Sequence, residues 1–277
     1  MTILSLVVLY KTELDSSDTL RSLAGQSCTA GLHVFVWDNS PDEATAAKKD
    51  WLSQQFQRTY YHHDGRNTPL SELYNNVIRQ CLLDVRGQYQ YLIILDQDSL
   101  LHPRFFETMR AAAIQHPEIK LLLPIVKSGG QIVSPAHMHY FKGTFWRRPY
   151  YGSIKARFTT AINSGMMISG DYLAHDFPGY PPELRFYGTD TWLCQSIASS
   201  HRWIYVVDTT IKHELSQFCE ERSDVKLWRH WEIIRATRFL NRDGFFRRTL
   251  CCFYTTISCV RSAIKYRDWR FVHRAAP

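Results

Sequence analysis

Tyr91-Leu92-Ile93-Ile94-Leu95-Asp96-Gln97-Asp98 is the stretch on which the fold turns. An unbroken aliphatic run stops abruptly at two carboxylates one residue apart. Such a run suits a strand buried on both faces of a parallel sheet, where no position has to face water. The polar stop marks the strand's carboxyl end, the edge at which open α/β sheets bind ligands. Two carboxylates there can hold a hard divalent cation that keeps other positions for water and phosphate. A turn in which Asp98 or Ser99 caps a following helix would use the same residue types.

Working towards the N-terminus, the pattern repeats. Ile3 to Tyr10 is a continuous apolar run ending in Tyr10-Lys11-Thr12, and a polar stretch at Asp15-Ser16-Ser17 then opens a helix carrying Leu20 and Leu23. His33 to Trp37 ends at Asp38-Asn39-Ser40-Pro41, a cluster of turn formers. A polar helix over about 45–56, a strand at Thr59 to His62 and a helix with Leu70, Leu73, Val77 and Ile78 on one side lead back to the opening stretch. Strands alternating with helices at this spacing predict βαβ units and a mainly parallel, doubly wound sheet. Asp38 at the same edge could accept a hydrogen bond from the imide of uracil or thymine, or close an Asx turn with Asn39 and Pro41. Towards the C-terminus, strands are expected near Leu121 to Val126, Ala161 to Ile168 and Trp203 to Val207, with a helix from Thr191 to Ser199 between the last two. The stretch from Ser128 to Tyr151 reads as loop.

Composition is that of a folded chain: 277 residues, 45% hydrophobic and 21% charged. The formal charge of +7 is concentrated at one end. From Arg222 onward there are thirteen Lys and Arg against four Asp and Glu, so the rest of the chain is close to neutral. Trp228, Trp231, Phe245, Phe246, Phe253 and Trp269 are interleaved with those cations. A basic aromatic segment suits an anionic membrane surface, whereas no nucleic-acid module accompanies it, and a packed helix pair with a solvated arginine face would look the same. The seven cysteines follow no disulfide framework, which fits a reducing compartment. The apolar opening is too short for a signal segment or a membrane span. The expected location is cytoplasmic, peripheral on the inner face of the plasma membrane. His62-His63 and His137-Met138-His139 lack the spacing of a zinc site and read as strand or surface histidines.

Taken in order, Tyr10-Lys11-Thr12, Asp38-Asn39-Ser40, Asn67-Thr68-Pro69-Leu70-Ser71-Glu72-Leu73-Tyr74-Asn75, Asp96-Gln97-Asp98, Asn163-Ser164-Gly165-Met166-Met167-Ile168-Ser169, Tyr187-Gly188-Thr189-Asp190-Thr191-Trp192 and Ile211-Lys212-His213 resemble family 2 glycosyltransferases of the GT-A fold. Within that family they are most similar to the rhamnosyltransferase-like branch of bacterial surface-polysaccharide synthesis. The resemblance implies a GT-A domain over 1–218, with a nucleotide-binding half over 1–100 and an acceptor half over 101–218, followed by a basic helical extension over 219–277. It implies an inverting transfer from a nucleoside-diphosphate sugar, dTDP-rhamnose or a UDP-hexose, to a lipid-linked saccharide in O-antigen or related polysaccharide synthesis. Tyr10, Thr12, Asp38, Asn67, Asn75, Asp96 and Gln97 would then face the donor. Asp98, His213 and Asp96 would hold Mg or Mn, Asp190 would be the general base, and Asn163, Ser164, Gly165 and Trp192 would lie on the acceptor side. Two rival readings are a haloacid-dehalogenase-like phosphatase with Asp96 as nucleophile and a non-catalytic module that binds nucleotide sugar or lipid.

Overall fold

A computed structural model describes residues 1–83, 88–213 and 223–273. The boundary expected at residue 218 lies outside them. In chain order the strands are β1 (Ile3–Leu9), β2 (Leu32–Asp38), β3 (Thr59–His63), β4 (Tyr91–Asp96), β5 (Ser99–Leu101), β6 (Leu121–Ser128), β7 (Gln131–Ser134), β8 (Ala136–His139), β9 (Lys142–Phe145), β10 (Gly152–Lys155), β11 (Thr159–Thr160), β12 (Met167–Ser169) and β13 (Trp203–His213). The helices are α1 (Asp18–Ala24), α2 (Ala46–Gln55), α3 (Leu70–Ile78), α4 (Phe105–Gln115), α5 (Gly170–His175), α6 (Thr189–Ser200), α7 (Ser223–Leu240) and α8 (Phe245–Tyr266).

The main sheet runs β10-β13-β6-β12-β4-β1-β2-β3, with β5 on β13 and β7 on β6. Its first half is as expected: β3, β2, β1 and β4 are all parallel. Ser17 caps α1 by accepting from the Leu20 amide at 3.3 Å. The second half adds antiparallel members to this mainly parallel sheet. β12 runs antiparallel between β4 and β6, and β10, β5 and β7 also pair antiparallel; only β13 and β6 are parallel. The cause is local. A turn at Asn163–Gly165 brings the chain straight into β12 with no crossover helix. It also cuts the strand expected over 161–168 to three residues. Gly165 holds φ +88°, and a Cβ there would lie 2.4 Å from Ile211 Cδ1 and 2.6 Å from Pro124 Cγ, so the turn admits only glycine. The stretch expected as loop is strand: β8 and β9 pair, and β11 joins β8 to make a separate three-stranded sheet.

β4 shows why the sheet is stable. Ile93 and Leu95 enter the core on one face, with Ile3, Val7 and Val34, while Leu92 and Ile94 enter the core on the other, with Leu4, Leu6 and Tyr74. Each fully buried side chain contributes about 1.5–3 kcal/mol. The register then delivers the polar ends together: Leu9 of β1 is opposite Asp38, and Val8 is opposite Asp96.

The helices α7 and α8 form an antiparallel pair joined by the turn at Asn241–Gly244 and closed by a 3₁₀ turn at Trp269–Phe271. Arg238 Nε donates to Thr255 Oγ1 at 3.0 Å, and Tyr266 stacks on Phe271. The pair also packs on the sheet domain, with Trp228 against Phe186 and Tyr187, and Phe239 against Trp192. Among the described residues no helix is long and apolar enough to cross a membrane.

Candidate active site

The turn after β4 leads into β5, not into a helix, so neither Asp98 nor Ser99 is a helix cap. Pairing of Ser99 with His213 across β5 and β13 sets the imidazole beside the turn. His213 Nδ1 lies 3.1 Å from Asp98 Oδ1, and its Nε2 lies 3.9 Å from Asp96 Oδ2. Ser164 accepts from the Asp96 amide at 3.3 Å and is hydrogen-bonded to Ser99 Oγ. On the other side Thr19 donates to the carbonyls of Asp96 and Ser99 and accepts from the Ser99 amide at 2.8 Å. The Asp-Gln-Asp turn is therefore held from α1, β12 and β13 at once. Gln97 reaches back to accept from the Tyr10 amide at 2.7 Å, which ties the turn to the end of β1.

Asp190 arrives from α6. Gly188, at φ +85°, occupies the cap position, and Asp190 is the second residue of the helix. Its Oδ1 accepts from the adjacent Thr191 amide at 2.6 Å. The cap bond to the amide near Leu193 that a structural Asp would make is absent among the described bonds.

The acidic groups influence one another. Burial pushes the Asp96 carboxyl up to about 6; His213 opposes the rise, and the charges of Asp98 and Asp190 add to it. Asp96 nevertheless keeps 39% side-chain exposure. It sits at the floor of a cleft, stripped of much hydration but open on one side. Burial also raises the Asp190 carboxyl, against the lowering effect of the Thr191 hydrogen bonds. The buried Tyr74 phenol, between these groups, is held neutral by burial and by the charges of Asp96 and Asp190.

At the other end of the cleft Asp38 is 3% exposed and makes two bonds, from the Ser40 amide at 3.0 Å and the Tyr61 hydroxyl at 2.8 Å. The Asx turn is thus made, to Ser40 and not to Asn39 or Pro41. A recess of about 290 Å³ opens beside it, lined by Lys11, Thr12, Asp38, Ser40, Asp42 and Ala44 among others. Tyr10 is exposed at its approach, with Lys11 Nζ 5.2 Å from the ring centroid. Asn67 is exposed in the loop before α3, which Asn39 fastens by bonds to the Thr68 amide and carbonyl at 3.1 and 2.9 Å.

Several residues expected on the ligand side have other placements. Asn75 gives and accepts one 2.8 Å bond each with the Tyr180 backbone, so it staples that loop to α3 and does not face the recess. Ser164 and Gly165 are buried beneath the carboxylates, where they support the turn. Trp192 donates to the Gly179 carbonyl at 2.9 Å and packs on α7. Asn163 donates to Thr189 Oγ1 at 3.0 Å, which couples the β12 turn to the start of α6, while its buried Oδ1 has no hydrogen-bond partner among the described residues. Thr19 carried no signal in the sequence, and Tyr74 none for its role here: their partners are about 80 and 90 positions away.

A hard cation suits this donor set of two carboxylates and an imidazole. Among the described residues, however, no three such side chains converge on one point as a closed site, because His213 turns one nitrogen to each carboxylate.

A curled α/β sheet with a carboxylate cleft at its carboxyl edge defines a GT-A glycosyltransferase fold. Solved structures support this. S. aureus TarS 1-349 in complex with UDP matches at TM-score 0.60 and 14% identity, over 91% of this chain and 68% of that one. The structure of GalNAc-T7 with UDP, GalNAc and Mn2+ matches at TM-score 0.57 and 10% identity, over 78% and 44%. The chain spans 41% of the longer TarS structure. A comparison with curated protein sequences gave no significant match. The model of glycosyl transferase family 2 matches residues 7–173, more than half of the sequence, and the chain belongs to that family.

Proposed function

We propose that this glycosyltransferase moves a sugar from a uridine or thymidine diphosphate onto a lipid-linked saccharide, with inversion and with the help of a divalent cation. The observation that carries the reading is His213 set between Asp96 and Asp98 at the end of β4, with Asp190 of α6 near enough for its charge to act on Asp96. TarS and GalNAc-T7 structures hold UDP, and one TarS structure holds UDP-GlcNAc, which supports a nucleotide-sugar donor here. The recess at Asp38 would take the base, with Tyr10 covering it and Thr12 at its rim. Asp98, His213 and Asp96 would hold Mg or Mn, which supplies positive charge to a diphosphate leaving group. Asp190, whose charge reaches Asp96, would take the acceptor hydroxyl's proton. Its raised carboxyl is a better base than an ordinary surface aspartate. Attack from the side opposite the leaving group gives inversion.

A donor half over 1–100 and an acceptor half over 101–218 are part of the same proposal. A role in O-antigen or related surface-polysaccharide synthesis, kinship with the rhamnosyltransferase-like branch, and peripheral attachment of the basic extension to an anionic membrane belong to this proposal. The phosphatase reading loses its basis, since Asp96 follows three strands of a family 2 glycosyltransferase sheet. The test is a panel of UDP-, dTDP- and GDP-sugars scored for binding and hydrolysis with Mg2+, Mn2+ or EDTA. One nucleotide should bind in a metal-dependent way. Silence across the panel would overturn the proposal, and binding without turnover under any acceptor would favour a non-catalytic module.

A further inference from the structure

The outer face of α8 carries an apolar stripe that stays exposed among the described residues. Phe246, Leu250, Phe253, Ile257, Val260 and Ile264 recur at alternating steps of four and three, and they are 37 to 74% exposed. Cys251, Thr255, Cys259 and Ala263 form the opposite stripe, buried against α7. The small inner residues therefore let the helix pair close, while the large ones point outward. Phe245 and Trp269 extend the exposed apolar surface at either end.

A spacing of 3.5 is also that of a helix-pairing seam, and charge decides between the two. α8 contains Arg247, Arg248, Arg261 and Lys265, all exposed, and no Asp or Glu. Arg267 follows at once. Among the described residues Arg248, Arg261, Lys265 and Arg267 form no ion pair. A second copy of α8 laid on this stripe would bring cation against cation with no carboxylate to relieve it. An anionic lipid surface meets both features: the apolar stripe enters the acyl boundary and the flanking cations meet headgroups. At about 33 Å long, the helix would lie in the plane of the membrane.

The stripe is continuous with a groove of about 950 Å³ between α6, the β8–β9 hairpin and the first turns of α8. Phe246, Arg247, Leu250, Arg157 and Phe158 line it, as does Thr191, next to Asp190 in the chain. We propose that the outer face of α8 beds in plane in an anionic bilayer, and that this groove admits the membrane-proximal part of an amphiphilic acceptor to Asp190. The second half of the proposal rests on the glycosyl-transfer reading, whereas the first stands on the helix alone.

The test is co-sedimentation of the full chain with phosphatidylcholine vesicles, with and without phosphatidylglycerol, alongside UDP binding and melting temperature. The parent should pellet with the mixed vesicles only, and less so as salt rises. Ile257→Glu should weaken this about tenfold or more, and Arg261→Gln about fivefold. Both variants should keep the parent's melting temperature and UDP affinity. Equal binding to both vesicle types, or unchanged binding by a folded Ile257→Glu variant, would overturn the membrane surface. A concentration-dependent dimer in light scattering that Ile257→Glu abolishes would assign the stripe to a second copy instead. UDP binding without vesicle binding defeats this inference alone. Vesicle binding without binding of UDP or dTDP defeats the transfer reading and the groove's role while leaving the surface intact. For the groove, Phe158→Ser should raise KM for a membrane-borne acceptor severalfold without changing UDP affinity. An unchanged acceptor KM would remove the groove from the proposal.

Discussion

The two ends of this molecule solve the same problem differently. In the β1–β4 half, polar side chains reach the cleft because strands end there, and adjacent registers place Asp38 and Asp96 one step apart on either side of β1. In the other arm, Asp190 reaches the cleft because the start of α6 is wedged under α7. A Cβ on Gly188 would lie 3.1 Å from Ala236 Cβ and 3.2 Å from Leu240 Cδ1. The proposed donor side is thus set by the sheet itself, and the proposed acceptor side by a helix pair added after it. Changes in α7 should therefore act on turnover and spare nucleotide binding.

The largest effect tests the donor side. Asp98→Ala should lower transfer by about 10³-fold and remove metal-dependent nucleotide binding, because the charge of the leaving diphosphate then lacks one anchor. Full activity in EDTA would break that side of the comparison. Next comes Asp190→Asn, expected to cost about 10²-fold or more in turnover with UDP affinity kept. Parental turnover in a folded variant would end the assignment of a general base.

The raised Asp190 carboxyl also fixes two signs. Activity should fall as pH drops through a value above the ordinary carboxylate range, since the base is then protonated, and an acid limb near 4 would contradict the raised value. For stability, a folded-state value above the unfolded one means the native state holds a proton longer. The ionised group therefore costs stability as pH rises through the folded value. Asp190→Asn should melt no lower than the parent at neutral pH, and the difference should shrink below pH about 3.9, where both states are protonated.

Smaller effects sharpen the contrast. Gly188→Ala adds a left-handed alanine, at about 1–2 kcal/mol, and crowds Ala236 and Leu240. It should lower the melting temperature and reduce turnover severalfold while leaving UDP affinity alone; a loss of UDP affinity would show that the two arms are not independent. Tyr61→Phe removes one hydrogen bond to Asp38, about 1 kcal/mol, and should weaken nucleotide affinity a few-fold with turnover unchanged. An effect on turnover alone would place Asp38 away from the base.

Much of the donor half was legible because its signals are local. An aliphatic run that stops at Asp38 or Asp96 announces both the strand and its ligand edge within a few residues. The turn at Asn163–Gly165 could be read as a glycine turn, but not its consequence, an antiparallel β12 that breaks the parallel sheet. Asn75 and Trp192 lie in the family's pattern, yet their side chains are used on the backbones of Tyr180 and Gly179, 105 and 13 positions away respectively. Such partners are chosen by tertiary contact, and no period or spacing encodes them. The basic extension was legible as composition only. That its small residues face inward and its large ones outward appears once α7 is in place.

The crowding at Gly188 has a bearing on how this chain could be re-engineered. Because the turn before Asp190 interlocks with Ala236 and Leu240, the segment from Leu184 to Trp192 and helix α7 make a single part with two disconnected pieces of sequence. A chimera that swaps the tail alone would inherit a mismatched joint beneath its proposed base. An exchange of both pieces together would carry the acceptor arm across whole and leave the nucleotide recess as it was.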